Sequence, residues 1–262
     1  MRFPQKRHEA AAGASAHRVR TLRAVSLGLG LAMALAPWLP AGAAFAGPLA
    51  DGVGDPVTVR SEQVARFRKN SDASRFGALT FLGGLQFTGS DSRLHGISAI
   101  RMRDADGGFL AVTDNGSWIA GRIQRDADGR PREFSDVSIA PLRDLLGRPI
   151  RGKALGDAES LSIGPGGRTV QVGFEQRHRI WSYDLDDLGE GRARDVPLPI
   201  PVRELRANKG LETLAIAPGG SPLQGAMVTV AEHSIDRNGN LFAAVLGPDG
   251  GVFKVKRHEK WE

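Results

Sequence analysis

The chain has 262 residues, a formal net charge of +6, a sequence pI near 10.1 and no cysteine. Its 41% hydrophobic content is typical of a globular protein and excludes a disordered or collagen-like chain. The lack of cysteine excludes disulfides, thiolate metal sites and cysteine nucleophiles.

The positive charge is concentrated at the N-terminus. The first 46 residues contain six lysine and arginine residues against one acid, Glu9, which gives a local net charge of +5 and leaves +1 for the rest. Binding to a phosphate backbone needs clustered lysine and arginine. We therefore expect no nucleic-acid partner for the chain that follows.

The N-terminal segment has the layout of an export signal. The basic stretch is followed by an apolar run over Ala24–Ala36 and then by Ala44-Phe45-Ala46, a pattern of small residues that signal peptidases cleave. The apolar run is shorter than the ~20 residues that span a bilayer as a helix. We predict a signal peptide at 1–46, a periplasmic or secreted mature chain, and no membrane contact after cleavage. The alternative is an uncleaved anchoring helix.

After Ala46 the pattern is typical of short β-strands separated by turns. Runs of β-branched and aromatic residues are bounded by glycine, aspartate, asparagine and proline. The predicted strands include 109–113, 169–174, 179–183 and 226–231. Only 141–146 and 202–207 are expected to form a helical turn, and 184–201 is expected to be a long loop.

Three segments repeat one another. Residues 95–98, 159–162 and 212–215 each read as a polar residue, a small residue, an aliphatic residue and then serine or alanine. Each is followed by a turn containing glycine and by a second strand that ends on an acid. A β-sandwich would also have regularly spaced strands, but it has no reason to repeat that acid. The repeat predicts an all-β, β-propeller-like fold.

The repeated polar residues are candidate ligands and catalysts. In a propeller the first strand of each blade lines the channel, so His95, Glu159 and Glu212 are expected at its mouth, beside the acids that end the second strands. Carboxylate oxygens are the ligands that Ca²⁺ prefers. The predicted Ca²⁺ ligands are Asp114, Glu159, Glu175, Glu212 and Glu232. The alternative is that these acids only accept hydrogen bonds from the backbone.

Basic residues near these acids are candidates for substrate binding and proton transfer. A cation beside them would attract a phosphate ester, and a positioned imidazole could move a proton. The predicted substrate-binding residues are Arg151, Lys153 and Arg177. The predicted catalytic residues are His95 and His178, although His178 lies between two arginines and is expected to face solvent.

Several segments together resemble a known family. Residues 81–87, 96–100, 109–114, 174–180 and 210–215 resemble, in order and spacing, the bacterial exported proteins grouped as phytase-like and described as having esterase-like activity of phytase. The resemblance implies a propeller-like β domain at 78–262, preceded by an N-terminal segment at 47–77. It also implies hydrolase activity. Members of the family continue into at least one further repeat, so we expect a truncated product with an incomplete propeller.

Two functions agree with these patterns. The first is an exported, metal-assisted hydrolase of phosphate or carboxylic esters that acts on a small-molecule substrate. The second is a non-catalytic periplasmic β-propeller that binds a ligand or a protein partner, because a propeller fold alone does not decide function. The hydrolase needs Glu159, Glu175 and Glu212 to meet beside a cation.

Overall fold

The computed structural model describes residues 53–247 and 250–256. The predicted signal peptide at 1–46 and the first residues of the predicted segment 47–77 lie outside this part of the chain. Within it, no helix has the length and the apolar character needed to cross a bilayer.

The described chain starts with short strands that pair locally or join the first large sheet. The strands are β1 (Asp55–Pro56), β2 (Val59–Val64), β3 (Arg75–Phe76), β4 (Leu79–Thr80) and β5 (Gly84–Gly89). Strand β2 pairs with β5 and β3 pairs with β4, both antiparallel. A turn of 3-10 helix at Ser92–Leu94 then leads into the repeats.

Three antiparallel sheets of consecutive strands follow, which we call blades 1, 2 and 3. Blade 1 consists of β6 (Ile97–Met102), β7 (Gly108–Thr113), β8 (Ser117–Arg125) and β9 (Pro131–Pro141), with β1 added beside β9. Blade 2 consists of β10 (Ala158–Ile163), β11 (Thr169–Phe174), β12 (Arg179–Asp184) and β13 (Arg194–Val196). Blade 3 consists of β14 (Leu211–Ile216), β15 (Met227–Ile235), β16 (Leu241–Leu246) and β17 (Gly251–Val255).

The first strands of the blades lie next to one another. Strand β10 contacts β6 and β7 of blade 1 on one side and β14 of blade 3 on the other. Each blade is therefore a four-stranded meander whose first strand is innermost, which is the arrangement of a propeller. The predicted all-β, β-propeller-like repeat fold is confirmed.

Apolar side chains fill the spaces between neighbouring blades. Trp118 of blade 1 is fully buried and meets Tyr183 of blade 2 edge to face, with ring centroids 5.2 Å apart. A second cluster joins Ile180 of blade 2 to Leu211 and Phe242 of blade 3. Because strand side chains alternate between the two faces of a sheet, blade 2 supplies apolar residues to both interfaces.

The short helical elements differ from those predicted. Residues 141–146 form no helix: Pro141 ends β9, Arg143 forms a β-bridge with Pro149, and 145–146 form a turn. The Asp144 carboxylate accepts hydrogen bonds from the N–H groups of Leu146 and Arg148, a local alternative to helix. The predicted turn at 202–207 is a 3-10 helix at Val202–Glu204. The short helix α1 (Lys153–Gly156) was not predicted from the sequence.

The predicted loop at 184–201 also contains regular structure. It includes a 3-10 helix at Leu185–Asp187 and the edge strand β13. The remaining 3-10 helix, Pro165–Gly167, connects β10 and β11. Strand β13 was missed because two of its three residues, Arg194 and Asp195, are charged, which is common on a short edge strand.

Replacing the aromatic residue between blades 1 and 2 should destabilise the protein strongly. We expect Trp118→Ala to lower the free energy of unfolding by about 3–5 kcal/mol, because it leaves a cavity against Tyr183. Urea unfolding followed by circular dichroism measures the change. Leu79→Ala is the control, since Leu79 is 75% exposed and its truncation should cost less than about 0.5 kcal/mol. Equal losses in the two variants would contradict the packing described.

Candidate functional site

The first strand of every blade carries a β-bulge at the same place. The pairing register skips one residue between Ile97 and Ala99 in β6, and the equivalent skips occur in β10 and β14. The skipped residues are Ser98, Glu159 and Glu212. A bulge bends the strand and redirects the side chain of the extra residue. These three side chains are therefore placed equivalently in the three blades.

The bulges correct the sequence alignment of blade 1. His95 was predicted to occupy the place of Glu159 and Glu212, and that register is wrong, because Ser98 is the equivalent residue. His95 lies two residues before β6 and is exposed. Blade 1 therefore contributes a hydroxyl group where blades 2 and 3 contribute carboxylates.

A second acid is fixed beside each bulge by a backbone hydrogen bond. Asp114 and Glu175 directly follow β7 and β11, and Glu232 lies within β15, one residue after Ala231, the last residue that pairs with β14. The N–H groups of these acids donate, each at 2.8 Å, to the carbonyls of Gly96, Asp157 and Gly210. Each carbonyl belongs to the residue that directly precedes the first strand of its blade.

The carboxylates of blades 2 and 3 converge. Asp157, Glu159 and Glu175 form one group in which each offers an oxygen within 4.8 Å of the others. Glu175, Glu212 and Glu232 form a second such group. The structure thus brings together four of the five predicted ligands, and Glu175 belongs to both groups. The fifth, Asp114, belongs to neither.

Glu175 is the most enclosed of the repeated acids. It is 5% exposed, and its Oε1 accepts a hydrogen bond of 2.5 Å from the N–H of Gly210. Burial raises the pKa of Glu175 to about 7; the Gly210 N–H opposes this shift, and the carboxylates of Glu212, Asp157 and Glu232 add to it. Glu175 therefore accepts a hydrogen bond from the backbone, as the predicted alternative to a metal ligand requires, and it also belongs to both acid groups.

The two bulge acids also have raised pKa values. Burial raises the pKa of Glu159 to about 7; a hydrogen bond from Ser98 lowers it and the Asp157 carboxylate raises it further. The pKa of Glu212 is raised by burial and by the nearby Glu232. A carboxyl group with a pKa near 7 can both hold and release a proton at neutral pH.

Asp157 belongs to the first acid group but was not predicted as a ligand from the sequence. It is 1% exposed, its Oδ1 lies 3.0 Å from Lys153 Nζ, and no described donor makes a hydrogen bond to its Oδ2. It stands where blades 1 and 3 have Gly96 and Gly210. At Gly96 the φ angle is +65° and a Cβ would lie 2.0 Å from Asp114 Oδ1, whereas Asp157 has φ −63° and tolerates a side chain. Aligning the repeats by their bulges would have revealed it.

Lys153 is the cation that contacts the group of Asp157, Glu159 and Glu175. Its Nζ lies 3.1 Å from Asp114 Oδ2, 3.0 Å from Asp157 Oδ1 and 4.0 Å from Glu159 Oε1. The contacts with Asp157 and Asp114 raise the pKa of Lys153, so the amine stays protonated at neutral pH. Lys153 was predicted to bind substrate; in the structure its ammonium group is already shared among three carboxylates.

Among the residues that the structure describes, none of the other basic candidates forms an ion pair with the acid groups. His178 is 7% exposed, so the expectation that it faces solvent is wrong. Its ring packs against Gly210, where a Cβ would lie 2.1 Å from His178 Cε1. Burial lowers the pKa of His178 and favours the neutral imidazole. Arg151 and Arg177 are exposed; neither forms an ion pair with any acid in the described part of the chain.

The acid groups have the donors and the size to hold a divalent cation. Ca²⁺ binds carboxylate oxygens at 2.3–2.6 Å, so oxygens on opposite sides of the ion are about 5 Å apart. Oxygens that all lie within 4.8 Å of one another can therefore reach one ion. The unpaired Oδ2 of Asp157 and the like charges around Glu175 agree with such an ion.

Comparison with solved structures gives distant similarities. A functionally unknown protein from Desulfotomaculum acetoxidans is 13% identical, with a TM-score of 0.33; the match covers 66% of this chain and 47% of that one. The Cps50 (Swd1) β-propeller domain of Myceliophteria thermophila is 12% identical, with a TM-score of 0.31; the match covers 63% of this chain and 40% of that one. The chain thus spans less than half of either structure.

Comparison with protein families gives a match over most of the described chain. No curated protein matches. The family model named phytase-like, with the description esterase-like activity of phytase, matches residues 92–256, which include all three blades and every acid of the two groups. Since this range is more than half of the 262 residues, the chain belongs to the phytase-like family.

Proposed function

We propose that the chain is an exported hydrolase of small phosphate or carboxylic esters, assisted by a divalent cation such as Ca²⁺. The observation that carries the proposal is the position of Glu175, a buried carboxylate shared by two groups of three acids. Buried like charges are costly unless a cation or a proton offsets them. The family description, esterase-like activity of phytase, gives the hydrolase class.

The group formed by Glu175, Glu212 and Glu232 is the better candidate for the cation. The other group already faces the Lys153 ammonium, which would repel a second cation. Glu232 is also paired, with Lys209 at 3.0 Å, but these side chains are 40% and 49% exposed. A surface pair of this kind contributes little and is readily exchanged.

Each nearby group then has a chemical task. A bound divalent cation would polarise the ester and offset its developing negative charge. Glu159 has a pKa of about 7 and lies outside the three-glutamate group. It can accept the proton of the attacking water. Lys153 holds Asp114 and Asp157 in place, and the Ser98 hydroxyl lowers the pKa of Glu159.

Export is part of the same proposal. A basic stretch, an apolar run and an A-x-A site precede the described domain. Calcium is more available outside the cytoplasm, where an exported protein would meet it. The non-catalytic alternative, a periplasmic propeller that binds a ligand or a protein, becomes the better proposal if the protein binds the cation and turns over no ester.

Replacing the shared carboxylate of Glu175 should weaken both cation binding and ester turnover. We expect Glu175→Gln to reduce Ca²⁺ affinity and ester hydrolysis each by about 10- to 100-fold, as is usual when support for a metal site is lost. Calorimetry measures Ca²⁺ binding, and p-nitrophenyl phosphate and p-nitrophenyl butyrate measure turnover with Ca²⁺ or with a chelator.

The control for this experiment is Glu133→Gln. Glu133 is an exposed acid of β9 outside both acid groups, so its replacement should change neither quantity. Wild-type Ca²⁺ affinity in Glu175→Gln would contradict the cation site. Normal Ca²⁺ binding with no turnover of either ester would contradict the hydrolase and favour the binding protein.

The acid cluster should also make the metal-free protein less stable as the pH rises. Glu159 and Glu175 have an ordinary pKa of 4.5 and a folded pKa of about 7. Below pH 4.5 both states hold these protons; between about 4.5 and 7 the unfolded chain releases them first. The free energy of unfolding should therefore fall as the pH rises through this window.

Urea unfolding in a chelator at pH 4.5 to 8 tests this dependence. Glu175→Gln cannot ionise at that position, so the decline in its free energy of unfolding should be shallower than in the wild type. The difference between the two curves reports the titration of Glu175 together with its effect on the neighbouring acids Glu212, Asp157 and Glu232. Parallel curves would show that Glu175 titrates normally in the folded protein.

The export signal is tested by the mass of the mature chain. Expression of the full sequence in a Gram-negative host should give a periplasmic protein whose N-terminus is Gly47, as expected for cleavage after Ala46. Intact-mass spectrometry of the periplasmic fraction measures it. Replacing Ala44 and Ala46 with bulky residues should block processing, and an unprocessed wild-type chain in the membrane fraction would favour the anchoring helix.

A further inference from the structure

A cavity beside blade 2 is lined by residues outside the two acid groups. Its volume is about 510 Å³, which is within the range of small-molecule sites. Its apolar wall is formed by Leu145, Leu146, Pro149, Ile150, Leu155 and Trp181. Its charged residues are Asp144, Arg148, Arg177 and Arg179.

The apolar wall is unusually exposed. Leu146 is 72% exposed, Leu155 43% and Leu145 41%, while Trp181 and Ile150 form a buried floor. Three leucines in one cavity leave apolar area in contact with water, and covering that area is favourable. A ligand with an aromatic or aliphatic part would cover it.

The charged residues leave an excess of positive charge. Arg148 pairs with Asp144 at 2.7 Å. By contrast, neither Arg177 nor Arg179 forms an ion pair with a carboxylate in the described chain. Two guanidinium groups separated by one residue therefore line the same cavity without an ion-pair partner among the described residues.

Arg179 is held in a fixed position. Its guanidinium carbon lies 3.8 Å from the centre of the Phe174 ring and 4.2 Å from that of Trp181. Its terminal nitrogens donate to the carbonyls of Arg177 and Leu155, and its Nε is buried without a hydrogen-bond partner among the described residues. Burial lowers the pKa of Arg179 to about 10, which leaves it charged at neutral pH. A fixed cation of this kind is a preorganised partner for an anion.

We propose that this cavity binds a small amphipathic anion, in which an aromatic or short aliphatic group is joined to one carboxylate or phosphate-type head group. The apolar part would lie against Leu146, Leu155 and Trp181, and the head group would meet Arg177 and Arg179. The site is independent of ester hydrolysis, because none of its residues belongs to the acid groups.

Binding of naphthalene compounds that lack an ester tests the proposal. The probes are the anion of 1-naphthaleneacetic acid and 1-naphthylmethylphosphonate. Two partial ligands accompany them: the neutral amide of 1-naphthaleneacetic acid, which lacks the charge, and inorganic phosphate, which lacks the ring. Calorimetry at low salt on the full chain should show both anions, or the one with the preferred head group, binding at least about tenfold tighter than the amide. Inorganic phosphate alone should bind more weakly than the better naphthyl anion, since it covers no apolar surface.

Variants of exposed residues separate the two parts of the ligand. Arg177→Gln should weaken binding of the anions by about tenfold and leave the amide unchanged. Leu146→Ala should weaken anions and amide alike, by roughly fourfold, because about one methylene's worth of contact is lost. Arg168→Gln is the matched control: Arg168 is an exposed arginine at the opposite end of β11, outside the cavity.

Three results would overturn the proposal. They are equal affinity for the amide and both anions, equal behaviour of Arg177→Gln and Arg168→Gln, and equal affinity for inorganic phosphate and the naphthyl anions. Circular dichroism of each variant confirms that it is folded. Because none of the probes contains a scissile ester, the outcome does not depend on whether the acid cluster is catalytic.

Discussion

The β-bulge that opens each blade, and the hydrogen bond that closes it, is the constraint on which the site depends. In every blade the N–H of the second acid donates at 2.8 Å to the carbonyl that precedes the first strand. The bulge leaves one residue unpaired directly beside this bond. Backbone geometry thus places two side chains per blade next to the innermost strand, the bulge residue and the second acid. Packing blade 2 against blade 3 brings their two pairs together.

This backbone arrangement has an electrostatic cost. Glu175 meets acids from its own blade and from blade 3, so placing the repeats side by side concentrates like charges. Several local interactions offset this charge: the Gly210 N–H on Glu175, the Lys153 ammonium on Asp157, and protons held by groups with pKa values near 7. A divalent cation would be the strongest further compensation, because one ion can contact several carboxylates at once.

The fold could be predicted from the sequence further than the site could. Strand-rich runs, turns and a repeated acid were enough to identify propeller-like blades, because these signals are local. The register of blade 1 was not, because His95-Gly96-Ile97 and Ser98-Ala99-Ile100 both read as a polar, a small and an aliphatic residue. The alignment therefore selected His95, three residues before the true equivalent, Ser98. The burial of His178 was missed for a related reason: its flanking arginines suggest a surface, whereas packing against Gly210 depends on the next blade.

Blade 2 carries most of the site because only there does the residue before the first strand have room for a side chain. Asp157 has φ −63°, whereas Gly96 has φ +65° and a Cβ there would overlap Asp114. A Cβ at Gly210, the counterpart in blade 3, would overlap His178. The single turn of α1 places Lys153 four residues before Asp157, on the same helical face. A buried carboxylate without that partner would be strongly destabilising. Lys153 is therefore committed to balancing Asp157, and the three glutamates shared between blades 2 and 3 keep an excess of negative charge over the single, half-exposed Lys209.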